Sequence, residues 1–271
     1  MPAWLGLLLA MGAALGVAWM MSGTDGDQGS RPRAAAEPPP VTVTFPEGLR
    51  REEMARILEA KTHISARAYL AATGPGERGR RLAGTDRPTS LEGFLFPATY
   101  QVGRRLTAGE LVNAQVAAYR SYTAEVDYRY ARSRKLTPYD VLIIASLIER
   151  EVRVPSERPL VASVIYNRLR RGMRLDIDAT VQYALGKWKA DLTARDLDVD
   201  DPYNTRRYPG LPPGPICNPG LASIAAAARP TQTPFLYYVA RRDGSGRHYF
   251  ARTLAEFERA VERARTAGGR G

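Results

Sequence analysis

Among the carboxylates of this 271-residue chain, Glu149 stands where a charged group is least expected. Residues 138–153 predict a helix. With Val141 at zero and about 100° per residue, Ile148, Val152, Ala145 and Leu142 form an apolar stripe from about −20° to about +100°. Glu149 falls at about 80°, inside that stripe. Burial against Ala145, Leu142 and Val152 disfavours the ionised form and raises the pKa. A carboxylic acid kept protonated near neutral pH is what protonation of a leaving oxygen requires. Glu151 lies about 200° away and points to another wall. The competing reading of Glu149 is a surface ion pair with Arg153 at i+4. Against it, the helix is apolar nearly all round from Val141 to Ile148.

Other polar residues carry paired readings. Asp176 and Asp178 can stabilise positive charge in a cleft, but Asp178 also suits the N-cap of a short helix. Residues 200–220 hold six prolines, a stiff loop that loses little entropy on binding. Tyr203, Asn204 and Asn218 sit in or beside it and can hydrogen-bond or stack on a ligand, although Asn218 equally suits a helix cap. Asn167 reads as a structural bond to a neighbouring carbonyl or as a polar contact, and Glu92 as a cleft-lining group. His248 is read as structural or as a cleft contact, and Cys217 as a small buried hydrophobe. One cysteine and two histidines exclude a disulfide framework, a Cys-based zinc site and multi-His metal sites. The reading includes neither a metal nor a cofactor.

These groups need a scaffold. Val41, Val43 and Phe45 alternate with threonines as a half-buried strand, Pro46-Glu47-Gly48 turns, and residues 50–60 carry Met54, Ile57 and Leu58 at helical spacing. Residues 73–90 read as a loop. Residues 91–100 read as an edge strand or extended connection, because of Pro97. A helix is predicted over 108–132, with Leu111, Val116 and Tyr119 inward. Thr137, Pro138 and Asp140 mark the start of the helix bearing Glu149. Ser156 is expected to cap the next helix, which presents Leu160, Val164 and Leu169 to the core, carries Arg168, Arg170 and Arg171 in its last turn and stops at Gly172. A hairpin is expected about Asp243-Gly244, followed by a helix capped by Thr253 and Glu256.

Net charge is +11, yet only four of the 39 cationic residues are lysines and no basic–aromatic stripe appears, so nucleic acid is not an expected partner. Residues 1–24 hold no charged side chain. Their apolar run from Leu5 to Met21 approaches a bilayer span and lacks a small-residue cleavage site. The expected organisation is a transmembrane anchor over 1–23, a linker over 24–40 rich in Gly and Pro, a small α/β unit over 41–103 and a mixed helical domain over 104–267. The fold class is α+β.

Several segments together carry a family likeness. They are Leu91-Glu92-Gly93-Phe94-Leu95-Phe96-Pro97, Ile144-Ala145-Ser146-Leu147-Ile148-Glu149-Arg150-Glu151, and Val161-Ala162-Ser163-Val164-Ile165-Tyr166-Asn167-Arg168-Leu169. Gly172-Met173-Arg174-Leu175, Asp178-Ala179-Thr180-Val181-Gln182-Tyr183, Tyr203-Asn204-Thr205, Gly210-Leu211-Pro212-Pro213-Gly214-Pro215-Ile216 and Asn218-Pro219-Gly220 continue it. In this order they resemble the MltG (YceG-like) endolytic murein transglycosylases over most of residues 90–250. The resemblance implies a single-pass enzyme of the cytoplasmic membrane that cuts peptidoglycan glycan strands on the outer side, with peptidoglycan synthases as candidate partners. It implies that Glu149 is the catalytic glutamate. Such an enzyme protonates the glycosidic oxygen between MurNAc and GlcNAc and lets the MurNAc C6 hydroxyl attack C1, leaving 1,6-anhydro ends. It also implies a LysM-like unit, of which residues 41–69 resemble the final part. Two alternatives stay open: a hydrolytic muramidase using Asp176 or Asp178, and a non-catalytic glycan-binding or divisome scaffold.

Overall fold

The computed structural model describes residues 38–86, 89–189 and 191–268. The expected anchor lies outside the described residues, as does the linker up to residue 37. Among the described residues no helix is long and apolar enough to cross a membrane. The described residues from 39 onward form one compact α+β unit built on two hydrophobic clusters.

The first cluster gathers β1 (Val41–Thr44), α1 (Arg51–Lys61), α2 (Ala66–Thr73), α3 (Glu77–Ala83), β2 (Thr99–Val102) and α4 (Ala108–Thr123). β1 and β2 pair antiparallel from Val41 opposite Val102 to Thr44 opposite Thr99. The threonine–valine alternation buries Val43 and leaves Val41 exposed, and Phe45 continues the inward face. Met54 and Leu58 of α1 and Leu111, Val112 and Val116 of α4 close the core. α4 also sends Tyr119 into the second cluster, so packing runs continuously across the boundary expected at residue 103.

The second cluster surrounds α6 (Pro138–Glu151), in which every residue from Val141 to Ile148 is buried. Its start is held by a reciprocal pair: Thr137 Oγ1 accepts from the Asp140 amide at 3.1 Å, and the Asp140 carboxylate accepts from the Thr137 amide at 2.7 Å. Such caps are worth about 1 kcal/mol. Around α6 lie α5 (Arg129–Ser133), α7 (Arg158–Arg170), α8 (Asp178–Ala184), α9 (Ala194–Leu197) and α10 (Leu221–Ala228). The hairpin of β3 (Tyr237–Ala240) and β4 (His248–Ala251) and then α11 (Leu254–Gly268) complete the chain.

The structure departs from the sequence reading in local and instructive ways. Residues 91–98 are buried turns, and the strand begins at Thr99. The reason is Asn218, whose Oδ1 accepts from the Gly93 amide at 2.8 Å and the Leu95 amide at 3.0 Å, so these donors need no sheet partner. Gly93 takes φ +87°, and a Cβ there would lie 2.6 Å from Pro215 Cγ; this glycine lets the turn lie against the proline-rich loop. The segment 73–90 contains α3, because Gly79 serves close approach rather than loop flexibility: a Cβ would lie 1.8 Å from the Thr89 carbonyl oxygen. The long helix expected over 108–132 ends at Thr123, whose hydroxyl donates to the Tyr119 carbonyl at 2.7 Å. Asp127 then accepts from the Arg129 amide at 3.0 Å as α5 begins. Ser156 caps nothing; a single 3-10 turn, Pro155–Glu157, leads into α7.

Candidate active site

A cavity of about 520 Å³ opens where the end of α6 meets α7, α8 and the hairpin. Glu151, Arg168, Asp176, Asp178, Arg206, Tyr238 and His248 line it. Glu151 is the last residue of α6, and its Oε2 accepts from the Tyr238 hydroxyl at 3.2 Å. Desolvation pushes the Glu151 carboxyl up to about 7; the Tyr238 bond and Arg150 oppose the shift, and Asp178 adds to it. The Tyr238 phenol is itself raised by burial and by the Glu151 charge, so it stays a donor.

The cavity floor is tied by Arg168, a buried cation on α7. Its Nε donates to the Leu236 carbonyl at 2.6 Å, and its Nη1 to the carbonyls of Arg174 and Leu175 at 3.0 and 2.8 Å and to Asp176 Oδ2 at 3.1 Å. Thus Arg168 is a structural tie rather than a surface cation at a helix end. Asp176 takes φ +53°, a costly conformation for a non-glycine residue. It is held there by Arg168 and by its own amide, which donates to the Thr205 carbonyl at 3.2 Å. Asp178 does not cap α8, because Ile177 occupies that position; its Oδ1 accepts from Arg206 Nη1 at 2.8 Å. His248 is 7% exposed and is pinned by the equally buried Glu157, whose Oε2 lies 2.7 Å from Nδ1 and whose carboxylate also accepts the His248 amide.

Glu149 does not line this cavity. It is buried as the helical wheel implies, with its side chain 7% exposed, but its carboxylate ends in a polar niche. Oε2 accepts from the Gly220 amide at 3.0 Å, and Oε1 lies 3.6 Å from Arg158 Nη2. Its ion-pair partner is therefore Arg158, not Arg153. Glu47 shares the niche, and burial together with the Glu149 charge raises the Glu47 carboxyl. The adjoining Arg150 donates to the Gly48 carbonyl at 3.1 Å and lies over the Trp188 ring at 3.6 Å. Arg150 thereby ties the 46–48 turn to the end of α6 and Glu149 ties Gly220 and Arg158 there, while Glu151 on the other side faces the cavity.

The remaining candidates are framework. Glu92 is buried, accepting from Asn218 Nδ2 at 2.7 Å and from the Arg51 amide at 3.2 Å. Burial and the Glu52 charge push it up to about 8 against the opposing Arg51. Asn218 is fully buried and joins three segments rather than capping α10, whose cap is Gly220. Asn204 Nδ2 donates to the Leu197 and Val199 carbonyls, both at 2.9 Å. Asn167 Nδ2 bonds the Thr233 and Phe235 carbonyls at 2.7 and 2.9 Å, which satisfies its structural reading. Tyr203 packs on Tyr183 with ring centres 4.7 Å apart. Of the candidates singled out, the structure brings Asp176, Asp178 and His248 to the cavity. Sequence reasoning missed Glu151, Tyr238, Glu157, Arg168 and Arg206. The wheel separated Glu151 from Glu149 correctly; it had no means of telling which side is hollow.

Comparison with known proteins follows the same lines. The model of the YceG-like family matches residues 26–263. The endolytic murein transglycosylase of Bacillus subtilis (strain 168) is 41% identical over 174 residues, covering 64% of this chain and 48% of that protein. The endolytic murein transglycosylase of Streptococcus pneumoniae (strain ATCC BAA-255 / R6) is 32% identical over 249 residues, covering 83% of this chain and 45% of that protein. The chain spans about half the length of the curated relatives it matches. The crystal structure of a YceG-like protein from Listeria monocytogenes aligns with a TM-score of 0.72 at 34% identity, covering 82% of this chain and 76% of that one. With a family model matched along most of its length and the same fold at this identity, the chain belongs to the YceG-like family.

Proposed function

We propose that this protein is a peptidoglycan lytic transglycosylase in which Glu151 is the proton donor. The observation that carries the reading is the Glu151 carboxyl, raised to about 7, on the wall of an open cavity. At neutral pH a useful fraction of Glu151 is protonated and can give its proton to the β-1,4 glycosidic oxygen between MurNAc and GlcNAc. As the C1–O bond breaks, positive charge grows at C1, and the newly ionised Glu151 stabilises it across the cavity. The C6 hydroxyl of the same sugar then attacks C1 and its proton returns to Glu151. No water is consumed, and the intramolecular attack benefits from high effective molarity. The product is a 1,6-anhydro-MurNAc end.

Hydrolysis would need a second carboxylate free to activate water. Asp176 is engaged by Arg168 and Asp178 by Arg206, which favours the non-hydrolytic course. The relatives' names, endolytic murein transglycosylase, agree in substrate and reaction. Glu149 is given a positioning role, holding the end of α6 through Gly220 and Arg158.

The proposal extends to location. The uncharged run Leu5–Met21 supports a single-pass anchor in the cytoplasmic membrane, with the folded unit on its outer side beside nascent strands and their synthases. Cutting there would end strand elongation. Mass spectrometry of peptidoglycan sacculi digested by wild type, Glu151→Gln and Glu149→Gln tests the core of this reading. Anhydro ends are expected from wild type and Glu149→Gln, and none from Glu151→Gln. Reducing ends from wild type would make the protein a muramidase. Undiminished cutting by Glu151→Gln would remove Glu151 from the reaction.

A further inference from the structure

The buried pair Glu157–His248 lies outside the scheme above, yet it has the form of a functional group rather than a packing device. A histidine 7% exposed lines the cavity that holds Glu151. Its Nδ1 lies 2.7 Å from Glu157 Oε2, and a carboxylate only accepts, so the ring proton is assigned to Nδ1. In the neutral ring Nε2 is then an acceptor, and among the described residues it has no hydrogen-bond partner. The ring is fixed from several sides. Glu157 also takes the His248 amide, Arg241 Nε donates to the His248 carbonyl at 3.2 Å, and Tyr238 meets the ring edge-on at 5.3 Å. The same Tyr238 donates to Glu151, so the acceptor and the acid flank one tyrosine.

The chemistry at C1 supplies a use for that acceptor. Both cavity aspartates are paired with arginines, Asp176 with Arg168 and Asp178 with Arg206. An N-acetylated sugar carries a nucleophile of its own in the acetamido carbonyl. We propose that Nε2 of His248 accepts a hydrogen bond from the acetamido N–H of the sugar being cut, aiming the carbonyl oxygen at C1. This rests on the transglycosylase reading and adds a substrate requirement to it. The carbonyl oxygen forms a bond to C1 while the C1–O4 bond of the glycosidic link breaks and O4 takes the Glu151 proton. The C6 oxygen then bonds C1, the acetamido C1–O bond breaks, and the C6 hydroxyl proton goes to the Glu151 carboxylate. The N–H stays on nitrogen throughout, shared with His248.

Only two histidines, His63 and His248, occur in the chain, so ¹⁵N-histidine labelling of the full protein gives two ring systems. The Glu151→Gln form keeps a MurNAc–GlcNAc tetrasaccharide uncut. Its addition is expected to move the His248 Nε2 resonance upfield, leave Nδ1 protonated and leave His63 in place; the de-N-acetylated tetrasaccharide is expected to bind without moving Nε2. In an otherwise wild-type protein, His248→Phe is expected to lower kcat on acetylated strands about 100-fold with little change in KM. An Nε2 that carries the proton in the free protein, that both glycans move alike, or that neither bound glycan moves would overturn the proposal and leave the transglycosylase reading standing. So would undiminished turnover by His248→Phe. Absence of any glycan binding would overturn the transglycosylase reading and this inference with it.

Discussion

Removal of one hydroxyl, by Tyr238→Phe, should move the alkaline limb of the pH–rate profile upward. Glu151 must be protonated to act, so activity is lost as pH rises through its pKa, which burial has brought to about 7. The Tyr238 hydroxyl donates to Glu151 Oε2 at 3.2 Å and favours the ionised form, so it works against that elevation. Hydrogen bonds to charged groups contribute about 1.5–3 kcal/mol. At 3.2 Å this one is longer than the 2.5–2.7 Å typical of a charge-assisted O–H···O⁻ bond, which places it at the weak end. Taking about 1.4 kcal/mol, loss of the bond raises the pKa by about one unit, to about 8. At pH 8, about a tenth of the wild-type acid would be protonated but about half of the variant's. The variant should therefore be slower than wild type at pH 6, where orientation of the acid is impaired, yet keep more of its own maximum at pH 8. The assay is initial rate of anhydro-end formation from pH 5 to 9. A limb that stays at pH 7, or moves down, would refute the assignment of Glu151 as the titrating acid.

Three further outcomes are expected. Glu92 is raised to about 8 in the folded state, so its burial is uncosted below about pH 4.5 and stability falls as pH rises from there to about 8, by on the order of 5 kcal/mol. Urea unfolding of Glu92→Gln should lack that slope, and an identical slope would show that Glu92 ionises freely. Asn218→Ala strands the buried amides of Gly93 and Leu95 and removes bonds to Leu49 and Glu92, which should cost about 3–5 kcal/mol; a thermal midpoint within a degree of wild type would contradict this. Gly93→Ala meets both φ +87° and Pro215 Cγ at 2.6 Å, so it should express as insoluble protein or melt well below wild type, whereas Gly103→Ala, with open space at its Cβ position, should match wild type.

Much of the scaffold was legible because its signals are local. The Thr137–Asp140 cap, the alternation about Val43, the Asp243-Gly244 turn and the Thr253–Glu256 cap each depend on residues within a few positions of one another. The misread segments share a different cause. Residues 91–98 look like a strand until Asn218, more than a hundred positions away, takes two of their amides. Gly79 looks like loop punctuation until the Thr89 backbone is seen against it.

The chain alone determined that a central apolar helix ends in Glu149-Arg150-Glu151, and that the two carboxylates leave it on opposite sides. It could not determine which side is hollow. A helix buried all round has no hydrophobic face to contrast with a wet one, so periodicity is silent on the matter. Tertiary packing decided it: the 46–48 turn and Gly220 close over Glu149, while α7, α8 and the hairpin stand apart around Glu151 and leave room for a ligand. The physical reason is that a carboxyl's protonation depends on what surrounds it after folding, and those surroundings come from segments far apart in sequence.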